Sequence, residues 1–285
     1  YTVQVNDLGA ITGVKLTDYQ GQSLDANQTY TVGLNSYIAS SYQFEHEDEG
    51  TSLQITSANT LINYLKEQNT IEYDGVEDRT ATESVEGGTG TTIAHTTVEL
   101  NAQNKYSAST TAGNLMAEAV KEVAGVDIGT YTSKSLSSGS IAAGPIYQEV
   151  LGSLYTSFNY ENKIDKITVT GEDIEAMILA QSQYYGGAAL QVAGMSYELI
   201  KDAEGEIAAI KAYVTGERID LNKEYKIGIN GYYSQYYKEA AGEVIASNLT
   251  TQTEEEILVE YLTGLENKGL KVDAAVTKDR IEIVE

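Results

Sequence analysis

Apolar and polar residues alternate over residues 11–16 and again over 207–212, the period of two that marks a half-buried strand. Asp25-Ala26-Asn27-Gln28 and Asp220-Leu221-Asn222-Lys223 read as turns into further strands at residues 30–34 and 225–229. After Thr56 and after Thr253 the apolar spacing changes to three and four, which predicts two amphipathic helices, each with threonine at its N-cap. The middle of the chain predicts a strand at 93–100, a helix at 112–123, and a second helix after Gly144-Pro145 with the proline in its first turn. A strand at 164–169 then meets Thr170-Gly171-Glu172-Asp173, a cap for a helix running to about residue 183. The expected fold class is mixed α/β (α+β) with mixed sheets.

These elements repeat. YTVQVNDLGAITGVKLTDYQGQSLDANQTYTVGLNSY, from Tyr1, matches YELIKDAEGEIAAIKAYVTGERIDLNKEYKIGINGYY, from Tyr197. Tyr1, Gly9, Ile11 and Lys15 correspond to Tyr197, Gly205, Ile207 and Lys211; after a one-residue slip, Gly21, Asp25, Tyr30, Gly33, Asn35 and Tyr37 correspond to Gly216, Asp220, Tyr225, Gly228, Asn230 and Tyr232. The match resumes at Thr56 and Thr253, and both copies reach an Asp-Arg pair, Asp78-Arg79 and Asp279-Arg280. Residues 93–196 have no counterpart at the start. The expected organisation is a half copy at 1–80, a Gly/Thr-rich linker at 81–92 (ATESVEGGTGTT), and a full domain at 93–285.

Composition narrows the function classes. The chain of 285 residues carries 42 acidic and 18 basic side chains, a formal charge of −24, which repels nucleic-acid backbones and anionic lipid headgroups. No apolar run approaches the ~18 residues that span a bilayer, so membrane insertion is not expected. Absence of cysteine removes disulfides, thiolate catalysis and iron–sulfur clusters together. Tyrosine is abundant, 22 against 2 Phe and no Trp; such rings suit binding or assembly surfaces and strand-rich cores alike. The sequence begins with Tyr1 rather than Met, so a processed or trimmed product of an extracytoplasmic protein is expected. Asn27-Gln28-Thr29 and Asn248-Leu249-Thr250 are glycosylation sequons.

The second part of the chain resembles the C-terminal domain of 5'-nucleotidases and UDP-sugar hydrolases. AGNLMAEA at 112–119 is similar to that family's LGNLIADA, AGPI at 143–146 to its GPI segment, VTG at 169–171 to its ELTG, LQVAG at 190–194 to its FLQVSG, and NKEYKI at 222–227 to its DKTYTVA. The resemblance covers about 93–285, and its second half recurs over 1–80. It implies a domain that binds nucleoside, while a separate metallophosphatase domain, of which this chain has no trace, does the hydrolysis. With only His46 and His95 and no Asp-x-His pattern, a dinuclear ligand set is not expected. No catalytic residue and no cofactor are expected.

The family's binding motifs are altered. Its NGGGIR segment aligns with Thr132-Ser133-Lys134-Ser135-Leu136-Ser137, which puts Ser137 at one phosphate arginine, and Tyr106 stands at another. Its GGDG loop aligns with Ser234-Gln235-Tyr236-Tyr237, and with Ser40-Ser41-Tyr42-Gln43 in the half copy. What the resemblance leaves is a degenerate nucleoside pocket of Tyr160, Asn162, Gly194, Tyr236 and Tyr237. Lys134 is either a residual phosphate ligand or an exposed loop lysine. Glu45, Glu47, Asp48 and Glu49 form either a loose Ca²⁺ site or a solvated acidic loop. The Ser-rich stretch 132–140 lacks a nucleophile elbow.

Three functions are open at this level. The first is a non-catalytic extracellular structural or assembly protein, a surface-layer or filament subunit that self-associates through strand edges of the half copy, with the strand near 281–284 pairing onto the next subunit. The second is the nucleoside-binding C-terminal domain of a larger 5'-nucleotidase. The third is a wall- or carbohydrate-binding module using Tyr184-Tyr185 and Tyr232-Tyr233.

Overall fold

The computed structural model describes residues 1–7, 11–18, 20–41, 50–68, 79–85, 90–241 and 244–285; the side chains of 40, 41, 159, 160, 241 and 274 lie outside that description. The chain divides into two compact units, one within residues 1–85 and one within 90–285.

The first unit holds β1 (Thr2–Val5), β2 (Ile11–Lys15), α1 (Ser36–Ser41), α2 (Ser57–Glu67) and β3 (Ala81–Ser84). Its sheet has the order β2-β1-β3, with β1 antiparallel to β2 and parallel to β3. Thr56 caps α2, its side chain accepting from the Asn59 N–H. Two expectations change here. Residues 81–84, read as the start of a linker, form β3, because they continue the repeat past the Asp-Arg pair. Residues 30–34, read as a strand, form none.

The second unit contains β4 (Thr92–Thr96), β5 (Leu100–Asn101), α3 (Thr111–Ala124), β6 (Ile128–Thr132), β7 (Ser140–Ile141), β8 (Gly144–Tyr147), β9 (Lys163–Thr170), α4 (Gly171–Tyr185), β10 (Leu190–Ala193), β11 (Ser196–Lys201), β12 (Ile207–Val214), β13 (Glu217–Arg218), β14 (Glu224–Asn230), α5 (Gly231–Ala241), β15 (Ala246–Thr253), α6 (Glu254–Asn267) and β16 (Ile281–Val284). A five-stranded mixed sheet runs β10-β6-β14-β9-β15, and a four-stranded one runs β13-β12-β11-β16. Two cores result. Leu115, Met116 and Val120 of α3 pack with Ile257, Leu258 and Leu262 of α6. Ile174, Met177 and Ile178 of α4 pack with Ile227 and Ile229 of β14 and with Leu199 and Ile210 of the second sheet.

Capping explains the helix starts: Thr110 accepts from Gly113, while Thr170 with Asp173 and Thr253 with Glu256 complete capping boxes. The helix expected after Gly144-Pro145 is instead strand β8 followed by a 3₁₀ turn, Gln148–Ser153. Pro145 lacks an N–H, which a strand of a two-stranded ribbon tolerates, and it pairs opposite His95 on β4. The strand expected over 93–100 breaks after Thr96, where the Thr97 N–H turns to the Val272 carbonyl. Among the described residues no helix is long and apolar enough to cross a membrane.

The repeat is visible in the hydrogen-bond register. Thr2 pairs with Lys15 as Glu198 pairs with Lys211, and both ladders carry a bulge at the same step, between Gln4 and Val5 and between Ile200 and Lys201. The Thr17–Ser23 bridge matches the pairing of Tyr213 with Arg218. Thr2 pairs with Ala81 as Glu198 does with Glu282. The Tyr1 amine donates to the Arg79 carbonyl at 2.7 Å, where the Tyr197 N–H donates to the Arg280 carbonyl at 2.8 Å. β1 therefore has a paired neighbour on each side, β2 and β3, as β11 has β12 and β16.

Candidate functional site

One buried amide organises the N-terminal end of α3. Gln191, on the wholly buried strand β10, accepts from the Thr110 N–H at 2.8 Å and donates to the carbonyls of Lys105 and Ala108 at 3.1 and 3.2 Å. A fourth contact joins it to Ser133 Oγ at 3.2 Å. The Ala188 N–H donates to the Tyr106 carbonyl at 2.7 Å, and a Cβ at Gly187 would stand 2.2 Å from that oxygen, so glycine is required for the approach. Gln191 and Gly187 thus fix the loop that presents Lys105 and Tyr106.

That loop faces the 137–138 turn across a cavity of about 360 Å³ lined by Asn104, Lys105, Tyr106, Ser107, Ser137 and Ser138. The two positions expected from the sequence to have lost arginine, 106 and 137, therefore line one space. Lys105 carries the cation there. Its ammonium donates to the Leu136 carbonyl at 2.6 Å and stands 5.4 Å from the centre of the Tyr106 ring. Burial lowers the Lys105 pKa from its ordinary value. Tyr106 stacks on Tyr185, 6.0 Å between ring centres at 24°, and burial, with the Tyr185 phenol adding, raises its pKa. Tyr184 meets Tyr185 edge-on at 4.9 Å. Tyr233 is half-buried; burial first, then Tyr185, pushes its phenol up to about 12, against a hydrogen bond with Ser135.

The residues singled out from sequence disperse. Tyr237 is a core side chain among the second cluster and has no face for a ligand. Tyr236 is exposed on α5 with Tyr232, ring centres 6.1 Å apart, whereas Tyr237 is buried. Gly194 serves the backbone: its φ is +82°, and a Cβ would stand 2.3 Å from the Asp127 carbonyl. Asn162 offers its carbonyl to the Glu254 N–H at 2.9 Å. The ring of Tyr160 lies outside the described side chains, as do Glu45, Glu47, Asp48 and Glu49 altogether. Lys134 is exposed on a 3₁₀ turn, Ser133–Ser135. His95 pairs with Glu266 at 3.1 Å on the surface. Among the described residues no three His, Cys, Asp or Glu converge as a metal site would require.

Sequence reasoning missed Lys105, which precedes the singled-out Tyr106, and a buried polar chain. Glu254 accepts from Ser157 Oγ at 2.5 Å and from Asn230 Nδ2 at 2.7 Å, and Ser157 also meets the buried Tyr131 hydroxyl at 2.6 Å. Asn230 Oδ1 accepts from the Tyr232 N–H at the start of α5. Burial pushes the Glu254 carboxyl up to about 7, against the hydrogen bonds from Ser157 and Asn230.

A profile of the 5'-nucleotidase, C-terminal domain family matches residues 92–239. No curated protein matches the chain. Similar solved structures include a 5'-nucleotidase precursor from Thermus thermophilus (20% identity, TM-score 0.53, covering 68% of this chain and 39% of that one). They also include the NAD nucleotidase NadN of Haemophilus influenzae (15%, 0.55, 83% and 47%) and the sulfate thiohydrolase SoxB of Thermus thermophilus (19%, 0.51, 68% and 35%). The chain spans less than half the length of each. At these identities the likeness is one of fold.

Proposed function

The chain belongs to the 5'-nucleotidase C-terminal domain family, and we propose that it is the ligand-binding C-terminal region of a larger nucleotidase-type protein, with stacking kept and phosphate recognition reduced. The observation that carries this reading is the cavity lined by both Tyr106 and Ser137, with serine hydroxyls around it, the Tyr106 ring stacked on Tyr185, and one partly buried ammonium in place of guanidinium groups. A lysine is a point charge where arginine offers a planar fork, and Lys105 already spends a donor on the Leu136 carbonyl. Calorimetric titration with adenosine and AMP tests the proposal: AMP binds no tighter than adenosine, and Tyr106→Ala weakens both by about 1–3 kcal/mol, the range of a lost base–aromatic stack. Micromolar AMP binding that collapses without the phosphate overturns it.

This region carries no hydrolytic step of its own in the proposal, because two histidines and no Asp-x-His pattern leave a dinuclear centre without ligands. Assay of AMP hydrolysis with Zn²⁺, Mn²⁺ or Co²⁺ gives no turnover above buffer; chelator-sensitive turnover refutes this. Extracytoplasmic placement belongs to the same reading and is checked by cell fractionation. The assembly reading rests on strand edges of the duplicated half copy, and the exposed apolar side chains there are given another occupant below.

A further inference from the structure

The half copy repeats residues 196–285 in register, turn and cap, yet the positions that form the core there are exposed in it. Ile227 is 2% exposed and its counterpart Val32 67%; Leu258 is fully buried and Leu61 is 56% exposed; Ile207 is 5% exposed and Ile11 70%. Leu34 and Leu65, counterparts of the buried Ile229 and Leu262, are exposed as well. The second unit shows what covers these positions. β14 lies between β6 and β9, and α6 packs on α3; all three partners come from residues 92–193, which the half copy lacks. Without them residues 30–34, the counterpart of β14, form no strand.

A charged position makes the same point independently. Arg280 is nearly buried, its guanidinium held by Glu118 of α3 and by the Val192 carbonyl of β10, again both within 92–193. Arg79 stands at the same place in the repeat and is exposed.

We propose that the apolar face of the half copy is the docking surface for a segment with the fold of residues 92–193, standing N-terminal to it in the same polypeptide. In the second unit that segment is followed almost at once by β11: β10 ends at Ala193 and β11 begins at Ser196. The same connection delivers the docking segment into β1. It brings two strands to flank residues 30–34, a helix to cover Leu61 and Leu65, and a carboxylate for Arg79. A second copy of this chain does not serve. The chain has one such segment for two second halves, so lending it to a neighbour strips residues 196–285 of their own core.

The test compares residues 1–285 with the polypeptide extended N-terminally by the residues its own gene encodes, by amide hydrogen exchange and light scattering. In the 285-residue monomer, peptides over 30–34 are expected to exchange freely and those over 57–67 with only the local protection of an uncovered helix; both slow about a hundredfold in the extended chain. Arg79→Ala or Val32→Asp should restore fast exchange there in the extended chain and leave the 285-residue chain unchanged. Equal fast exchange in both chains overturns the proposal. Protection in the 285-residue chain equal to that of the extended chain overturns it too: a dimeric mass assigns the face to a second copy, and a monomeric mass shows it closed within the chain. An upstream sequence without the strand and helix pattern of 92–193 also overturns it.

Discussion

Leu258 and Leu61 stand five residues after a capping threonine in the two copies of one repeat, and they meet opposite surroundings. Leu258 is sealed between α6 and α3, whereas α2 has no buried residue at all. The local structures agree closely, in strand register, bulge and cap, so local sequence suffices to form them. What differs is the non-local cover. Burying a large aliphatic side chain contributes about 1.5–3 kcal/mol, and the half copy has forgone that at five positions, Ile11, Val32, Leu34, Leu61 and Leu65. The repeat thus separates what a segment does alone from what its partners add.

Paired substitutions measured by urea unfolding break the comparison most sharply. Leu258→Ala should destabilise the second unit by about 2–5 kcal/mol, since it empties a closed core. Arg280→Ala should do so by about 3–5 kcal/mol, leaving Glu118 without its partner. Leu61→Ala and Arg79→Ala, at the same repeat positions, should stay within about 0.5 kcal/mol in the 285-residue chain. Equal losses in the two copies would show that the half copy has a core of its own.

The next effect depends on pH. Glu254 opens α6, and Ser57, its counterpart, cannot titrate. The folded Glu254 carboxyl sits at about 7 against an ordinary 4.5, so the folded state holds its proton more tightly than the unfolded chain does. Its stabilisation is complete below pH ~4.5 and is lost as pH rises through about 7, about 3 kcal/mol in all. Glu254→Gln carries no proton to lose. Its stability should therefore vary with pH by about 3 kcal/mol less than that of the unaltered chain between pH ~4.5 and ~8, read from urea midpoints. An unchanged pH profile in the variant would remove Glu254 from that role.

The sequence was most legible where a local rule decides. Thr56, Thr170 and Thr253 could be read as caps because one hydroxyl meeting one N–H is a short-range event. The duplication could be read because matched glycines and turns recur in order. Pro145 misled because Ile146, Val150, Leu151 and Leu154 have helical spacing, while pairing with the distant β4 makes the segment a strand. Residues 30–34 misled in the opposite sense: their pattern is that of β14, but the flanking strands that would pair with them are absent. At the candidate site, the stretch Tyr236-Tyr237 could not tell which ring faces inward. Packing settles it: Tyr237 joins the core with Tyr233, one turn earlier, packed against it, while Tyr232 and Tyr236, also one turn apart, are exposed. Gln191 lay in a recognised motif, but its role depends on three segments meeting, which no single stretch reveals.

The smallest expected difference lies in the caps themselves. Thr253 and Thr56 each accept a hydrogen bond from the N–H three residues on, so removing either hydroxyl deletes the same local interaction, worth about 1 kcal/mol. The consequences should separate by what the helix is attached to. In α6 the buried Ile257, Leu258 and Leu262 couple the helix to the core, so Thr253→Ala should lower the unfolding free energy of the second unit by about 1 kcal/mol. In α2 no side chain is buried, so the helix opens and closes on its own. Thr56→Ala should leave the urea midpoint unchanged and instead speed amide exchange over 57–67 by about fivefold, the factor that 1 kcal/mol gives at room temperature. A shifted midpoint for Thr56→Ala would mean that α2 is coupled to a cooperative core in the 285-residue chain, and the contrast between the two copies would fail at its smallest part.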